Sequence, residues 1–277
     1  MNIKIKIINQ ISDSIEKYII KKINKKAPYA FGPLLKSEIN FIRSKVKSKY
    51  NLDIKSQIIW SIKSAYMKNY IIMTYYKLNK YKSELIDKYN RKNDILKLSK
   101  EYKLSPMTIL RFILENKYNT KIKFLISDIS KLDTFDKKQF DSAIKSDIYN
   151  QIEQSEQLIE AEEFEKKIEK ILKNHNIKFK TQQELSIDQL KIYGKIINTP
   201  DFLIKSELII NNHKINWIDA KNFYGSNIDF VKKKIKKQIK KYLDTYGSGC
   251  IIFKYGFNSE LKFDKTLILS IESINIL

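Results

Sequence analysis

The chain carries one cysteine, Cys250, and two histidines, His175 and His213, in 277 residues. A lone thiol excludes an internal disulfide and a Cys-based zinc cage, and two imidazoles exclude a His-rich metal site. Any metal must therefore be held by oxygen, which favours magnesium, manganese or calcium. No run of about 18 apolar residues is present to span a bilayer. The opening MNIKIKIINQISDS alternates Lys with Ile and lacks the continuous apolar stretch of a secretory signal. These absences lead us to expect a soluble intracellular protein, nuclear or cytoplasmic, with no membrane partner.

Arginine is scarce as well. Arg43, Arg91 and Arg111 are the three arginines among 53 basic residues, and the formal net charge is +22. Such a charge suggests a polyanionic partner. A source with an AT-rich genome would produce the same excess of Lys, Ile and Asn, so the distribution is more informative than the total. Residues 1–150 carry 32 basic and 14 acidic residues, whereas residues 151–277 carry 21 and 17. With 43% apolar residues the chain has material for two modest domains, each with its own core.

The first half, residues 1–148, has Gly32 as its one glycine and shows helical periodicity almost throughout. Ile59, Ile62, Tyr66 and Tyr70 recur at spacings of three and four and read as core stripes. The sharpest segment is NDILKLSKEYKLSPMTILRFIL. Asp94 can cap a helix carrying Ile95, Leu98 and Tyr102, and Ser105 can cap a second with Pro106 at its first position. A helix-turn-helix over about residues 94–115 is expected, with Met107, Thr108 and Arg111 reaching DNA. Lys103 stands where the turn often has glycine, and plain helical hairpins share this pattern.

From about Ser155 the texture changes to helix (about 156–174), strand-like and turn-like runs, a Lys-rich helix (about 229–244) and a further strand. Tyr246-Gly247-Ser248-Gly249 breaks that helix ahead of the apolar CIIFKYGF. This order predicts a small mixed α/β domain over residues 149–277, following an all-helical domain over residues 1–148.

Charges inside the strands of this second half need explanation. In INWIDAK, alternation puts Ile215, Trp217, Asp219 and Lys221 on one face. Asn211-Asn212 suits a tight turn that pairs this strand with DFLIKSELII, so Asp201, just after Pro200, is expected near Asp219. Two converging carboxylates beside an ammonium make a site for a hard cation; a cross-strand ion pair at an exposed edge would give the same spacing. The helices narrow the choice. On a helical wheel Glu165 falls on the apolar stripe of Ala161, Phe164, Ile168 and Leu172, where an unpaired carboxylate is costly. Gln238 likewise lies within the stripe of Val231, Ile235, Ile239 and Tyr242. The lysines at 232, 233, 236, 237 and 240 point outward, where Lys233 and Lys237 could line a phosphate-binding surface.

Asp201, then Asp219-Ala220-Lys221, then Gln238 and Tyr242 four residues apart resemble the PD-(D/E)xK nuclease superfamily and the Gln-x-x-x-Tyr element of its RecB-like branch. Thr199-Pro200-Asp201, Trp217-Ile218-Asp219-Ala220-Lys221 and Tyr246-Gly247-Ser248-Gly249 with Tyr255-Gly256-Phe257 are similar to the TPD-motif, codanin-interacting-nuclease-like family. The preceding helical half fits that family's layout. Asp219 departs from its pattern, since glutamate usually precedes Ala-Lys there.

The resemblance implies a restriction-endonuclease-like domain with a mixed central sheet, and a nuclease acting on DNA, structured or branched forms included. Asp201, Asp219 and the Ala220 carbonyl would bind Mg²⁺ or Mn²⁺, with Glu165 as an outer or second-metal ligand. Lys221 would orient or activate the attacking water and stabilise charge on the phosphate. Gln238 and Tyr242 would position the chemistry. A homodimer and a protein partner follow by analogy with the family. The alternative is a catalytically silent adaptor, binding nucleic acid or protein on a nuclease fold.

Overall fold

The computed structural model of the chain describes residues 1–26, 31–149 and 155–274. Its main sheet has five strands in the order Thr266–Ser270, Gly249–Phe253, Trp217–Lys221, Phe202–Ile204 and Phe179–Thr181. The first three run parallel to one another, and the last two are added antiparallel. Parallel neighbours need a crossover. The helix Asp229–Tyr246 supplies it between Trp217–Lys221 and Gly249–Phe253.

Alternation along the strands sorts side chains to two faces. Ile218, Cys250, Ile252, Leu267 and Leu269 pack with Phe164, Ile168 and Leu172 of the helix Ser155–Asn174. Trp217, Ile251, Phe253 and Ile268 pack instead with Val231, Ile235, Ile239 and Tyr242 of the Lys-rich helix. The expected apolar stripes of both helices are therefore the ones buried. The mixed sheet between helices agrees with the expected α/β class.

Four expectations need correction. The tight turn at Asn211-Asn212, both left-handed with φ of 48° and 65°, does not close the main sheet. It joins Ile209–Ile210 to His213–Lys214, part of a separate three-stranded sheet. Phe202–Ile204 still pairs antiparallel with Trp217–Lys221, Phe202 opposite Ile218. Second, Ile215 packs with Leu208 and Ile218 rather than with Trp217, because the strand begins only at Trp217.

Third, the first half is not all-helical. Asn2–Ile3 pairs parallel with Ile209–Ile210, and Gln10–Ile11 pairs parallel with Phe257–Asn258. The compact units accordingly do not follow one boundary near residue 148. One comprises Met1–Ile20, Asn40–Ala65 and Gln154–Leu277; the other comprises Lys21–Ile39 and Tyr66–Glu153. Glu16 shows why the N-terminal segment belongs with the sheet. Its buried carboxylate accepts bonds from Ser226 Oγ at 2.6 Å, Asn258 Nδ2 at 2.8 Å and Tyr224 Oη at 3.1 Å.

The second unit is helical, and its caps match the sequence. Asp94 accepts from Leu96 N at 2.8 Å, Ser105 accepts from Thr108 N at 3.0 Å, and Pro106 opens the next helix. Lys103 takes the left-handed turn conformation, φ 56° and ψ 48°, that usually selects glycine. The fourth correction concerns the residues expected to touch DNA. Met107 and Thr108 are 2% and 9% exposed, Met107 within the unit's own core, while Arg111 is exposed. Among the described residues, no helix is long and apolar enough to cross a membrane.

Candidate functional site

Asp201 and Asp219 reach one end of the main sheet from adjacent antiparallel strands. Asp201 leads into Phe202–Ile204, and its Oδ2 accepts the Ala220 N–H at 2.6 Å. The turn ahead of it is held by Gln189. Its Oε1 accepts the Ile197 and Asn198 N–H groups at 2.7 and 3.1 Å, and its Nε2 donates to the Asn198 carbonyl at 2.7 Å. The Tyr246 hydroxyl donates to the same carbonyl at 2.7 Å. Pro200, buried beside these bonds, fixes the approach to Asp201.

Asp219 is 2% exposed and sits on the face of the Lys-rich helix. Its Oδ1 lies 3.1 Å from Gln238 Nε2 and 3.2 Å from the Tyr242 hydroxyl. Gln238 Nε2 also donates to Tyr242 Oη at 2.8 Å, and its Oε1 accepts from Lys221 Nζ at 3.0 Å. Lys221 closes the ring with an ion pair to Asp219. Residues two apart on the strand and four apart on the helix thus form one network, as the two periodicities require. An inward glutamine meets its need for partners by joining them.

The Tyr-Gly-Ser-Gly break has a packing cause. A side-chain carbon on Gly249 would lie 2.2 Å from the Trp217 indole, and Gly247 has φ of 77°. Trp217 fills that space, donates Nε1–H to the Gly247 carbonyl at 2.8 Å and packs 5.0 Å from the Tyr242 ring. The short residues therefore seat the indole that braces Tyr242.

Charge is unbalanced here. Burial, then Asp219, then Glu165 push the Asp201 carboxyl up to about 8, against the Ala220 N–H and Lys221. Glu165, half-buried on the helix Ser155–Asn174, is also raised, by burial first and then by Asp219. Burial, followed by the Asp219 charge, raises the Tyr242 phenol. Two carboxylates and a strand carbonyl are the hard oxygen donors that Mg²⁺ or Mn²⁺ takes, and the negative surplus fits a cation. Among the described residues, however, no group of three or more His, Cys, Asp or Glu side chains is gathered closely enough to hold a metal ion. Glu165 thus acts on the pair through its charge.

The network brings together Asp201, Asp219, Ala220, Lys221, Gln238 and Tyr242. Lys233 and Lys237 lie exposed on the outer side of their helix. Sequence reading missed Gln189 and Glu16, both buried polar residues on helices. The wheel argument that found Gln238 and Glu165 would have found Glu16, which Ile19 and Ile23 follow at spacings of three and seven, but not Gln189, whose helix buries only Leu185 beside it. It also missed Asn222, next to Lys221, whose buried Oδ1 has no hydrogen-bond partner among the described residues.

The site lies within the stretch of the chain that a family model matches. The family model described as "Protein of unknown function TPD sequence-motif" matches residues 133–273. Uncharacterized protein L539 of Acanthamoeba polyphaga mimivirus is 29% identical over 194 residues, 65% of this chain and 68% of that protein. CDAN1-interacting nuclease 1 of Xenopus laevis is 32% identical over 90 residues, 32% of this chain and 27% of that protein. The human protein of that name is 32% identical over 77 residues, 28% of this chain and 27% of its own length. This chain therefore spans about a quarter of the nucleases it matches. No solved structure matches.

Proposed function

The chain belongs to the TPD sequence-motif family, and on that footing we propose that it is a divalent-metal-dependent nuclease. It hydrolyses phosphodiester bonds in DNA, structured or branched forms included, on a domain of PD-(D/E)xK type. The observation that carries this reading is the joining of Asp201, Asp219, Lys221, Gln238 and Tyr242 at one end of the sheet. The printed name of the animal relatives, CDAN1-interacting nuclease 1, supports it.

Asp201, Asp219 and the Ala220 carbonyl would hold Mg²⁺ or Mn²⁺, with Glu165 adding negative charge behind them. The bound ion would lower the pKa of a water and offset charge on the phosphate. Gln238 and Tyr242 fix one Asp219 oxygen, so that carboxylate need not reorganise during the reaction. Lys221 donates to Gln238 and Asp219 and supplies positive charge to the phosphate as a water oxygen bonds to phosphorus and the ester P–O bond breaks. Lys233 and Lys237 contact backbone phosphates. Arg111 contacts DNA from the second helix of a helix-turn-helix. A homodimer and a protein partner belong to the same reading by analogy.

The test is incubation with supercoiled, single-stranded and junction DNA in Mg²⁺ or Mn²⁺. Cleavage by the wild type that is lost in Asp219→Ala is the expected result. Identical null results for both proteins on every substrate would leave the adaptor reading instead.

A further inference from the structure

Just ahead of Asp201 the chain exposes a run that its composition would assign to a core. Every residue from 190 to 197 is exposed, and Leu190, Ile192, Tyr193, Ile196 and Ile197 are between 48% and 69% exposed. Single exposed apolar residues are ordinary, whereas contiguous ones mark interaction surfaces. The run is also held in place. Gly194, with φ of 68°, ends the helix Gln182–Tyr193 and donates its N–H to the Leu190 carbonyl at 3.0 Å. Buried Gln189 binds the Ile197 and Asn198 N–H groups from beneath. Asn198, the lower end of this knob, stands three residues before Asp201.

Charge around the knob selects its occupant. Lys191 and Lys195 are exposed within the run. Asn198 and Gln189 tie its base to Thr245 and Tyr246, at the end of a helix that exposes Lys237, Lys240 and Lys241. Two of the neighbouring acids are engaged, Glu184 in the helix cap and Asp188 in an ion pair with Lys180, while Asp244, beside Thr245, is exposed and outnumbered by the lysines around it. An apolar, aromatic-bearing surface framed by cations suits a polyanion that offers apolar faces, which is a nucleic acid with unpaired bases. A second copy would bring the same lysines against themselves.

We propose that residues 190–197 form a base-contacting wedge that selects nucleic acid with unpaired bases beside a duplex, such as forks and flaps, over intact duplex. The wedge deepens the nuclease reading and rests on it for where the cut falls. Its binding does not depend on cleavage.

The experiment measures binding by fluorescence anisotropy in EDTA at fixed salt. The wild type and an Ile192→Ser/Tyr193→Ser/Ile196→Ser variant are compared on a forked DNA and a blunt duplex of equal phosphate number. Tyr193→Ser alone is included in case the triple variant does not fold. We expect the wild type to favour the fork by about tenfold or more. The variants should lose that preference with blunt-duplex affinity and melting temperature unchanged. Equal wild-type affinity for the two DNAs, or fork preference kept by both variants, overturns the wedge. So does a variant whose DNA binding is intact but which loses self-association or a co-purifying protein. Fork preference without cleavage of any DNA counts against the nuclease reading alone.

Discussion

Each compact unit buries an aspartate, and the two are treated in opposite ways. In the helical unit Asp136 is fully buried and accepts from the Tyr89 hydroxyl at 2.8 Å, the Tyr118 hydroxyl at 2.7 Å and Lys117 Nζ at 2.7 Å. Three donors converge on one acid, and the second carboxylate on Lys117, that of Asp133, is exposed to solvent, so the Asp136 charge is answered locally. In the sheet unit Asp219 is buried as deeply, but Asp201 and Glu165 bear on it and Lys221 is the cation paired with it. A buried charge is costly unless paired and bonded. Burial alone therefore does not single out a candidate metal-binding acid; an excess over cations of carboxylates withdrawn from solvent does, because it leaves a demand that a bound cation can meet.

The comparison is sharpest when each acid is removed. We predict that Asp219→Asn lowers metal-dependent DNA cleavage by at least about 10²-fold, while its melting temperature holds or rises because a repelling charge has gone. Asp136→Ala should do the reverse. It should cost about 3 kcal/mol in urea unfolding, since Lys117 and two phenols lose their shared acceptor, and leave cleavage by the folded fraction unchanged. If both variants lost stability alike, the distinction would fall.

A pH series probes the excess charge without any substitution. The Asp201 carboxyl has its ordinary value of 3.8 when unfolded and about 8 when folded. The native state therefore holds its proton longer. The associated stability is full below the unfolded value and is lost as pH rises through the folded one. In EDTA the wild-type melting temperature should fall between about pH 4 and pH 8, with Glu165 contributing in the same direction. Asp201→Asn should flatten that slope, and so should Mn²⁺ with the wild type. A flat wild-type profile in EDTA would remove the charge argument. The smallest effects belong to the exposed lysines. Lys233→Ala and Lys237→Ala should each weaken DNA binding evenly across sequences and reduce the salt slope by about one, read from affinities at several salt concentrations.

Most of the candidate site was legible because its residues break local rules. Asp219 and Lys221 interrupt a strand at its period, and Glu165 and Gln238 interrupt helical stripes, so pattern alone shows that they turn inward. Caps were legible for the same local reason, as Asp94, Ser105 and Pro106 illustrate. What stayed hidden depends on distance along the chain. Asn2–Ile3 and Ile209–Ile210 are two-residue strands, too short to show a period, and nothing near either identifies its partner. Asn211-Asn212 shows its turn in the sequence but not that the strands it joins lie outside the main sheet. Helix pattern says nothing of what covers a first turn, so the burial of Met107 and Thr108 is not visible in it. The exposed run at residues 190–197 is invisible to composition, which treats isoleucine as interior wherever it falls.

The bond between Glu16 and Asn258 has a consequence in time. The two residues are 242 positions apart. A ribosome adding about 5–20 residues per second needs on the order of ten to fifty seconds to make the second after the first. Until then the Glu16 carboxylate lacks part of the donor set, Tyr224, Ser226 and Asn258, that satisfies it in the finished protein. The sheet unit must therefore be completed after synthesis of its own last strands, and slowing translation should lengthen its exposure to proteases and chaperones without slowing the helical unit, whose segments lie within residues 21–153.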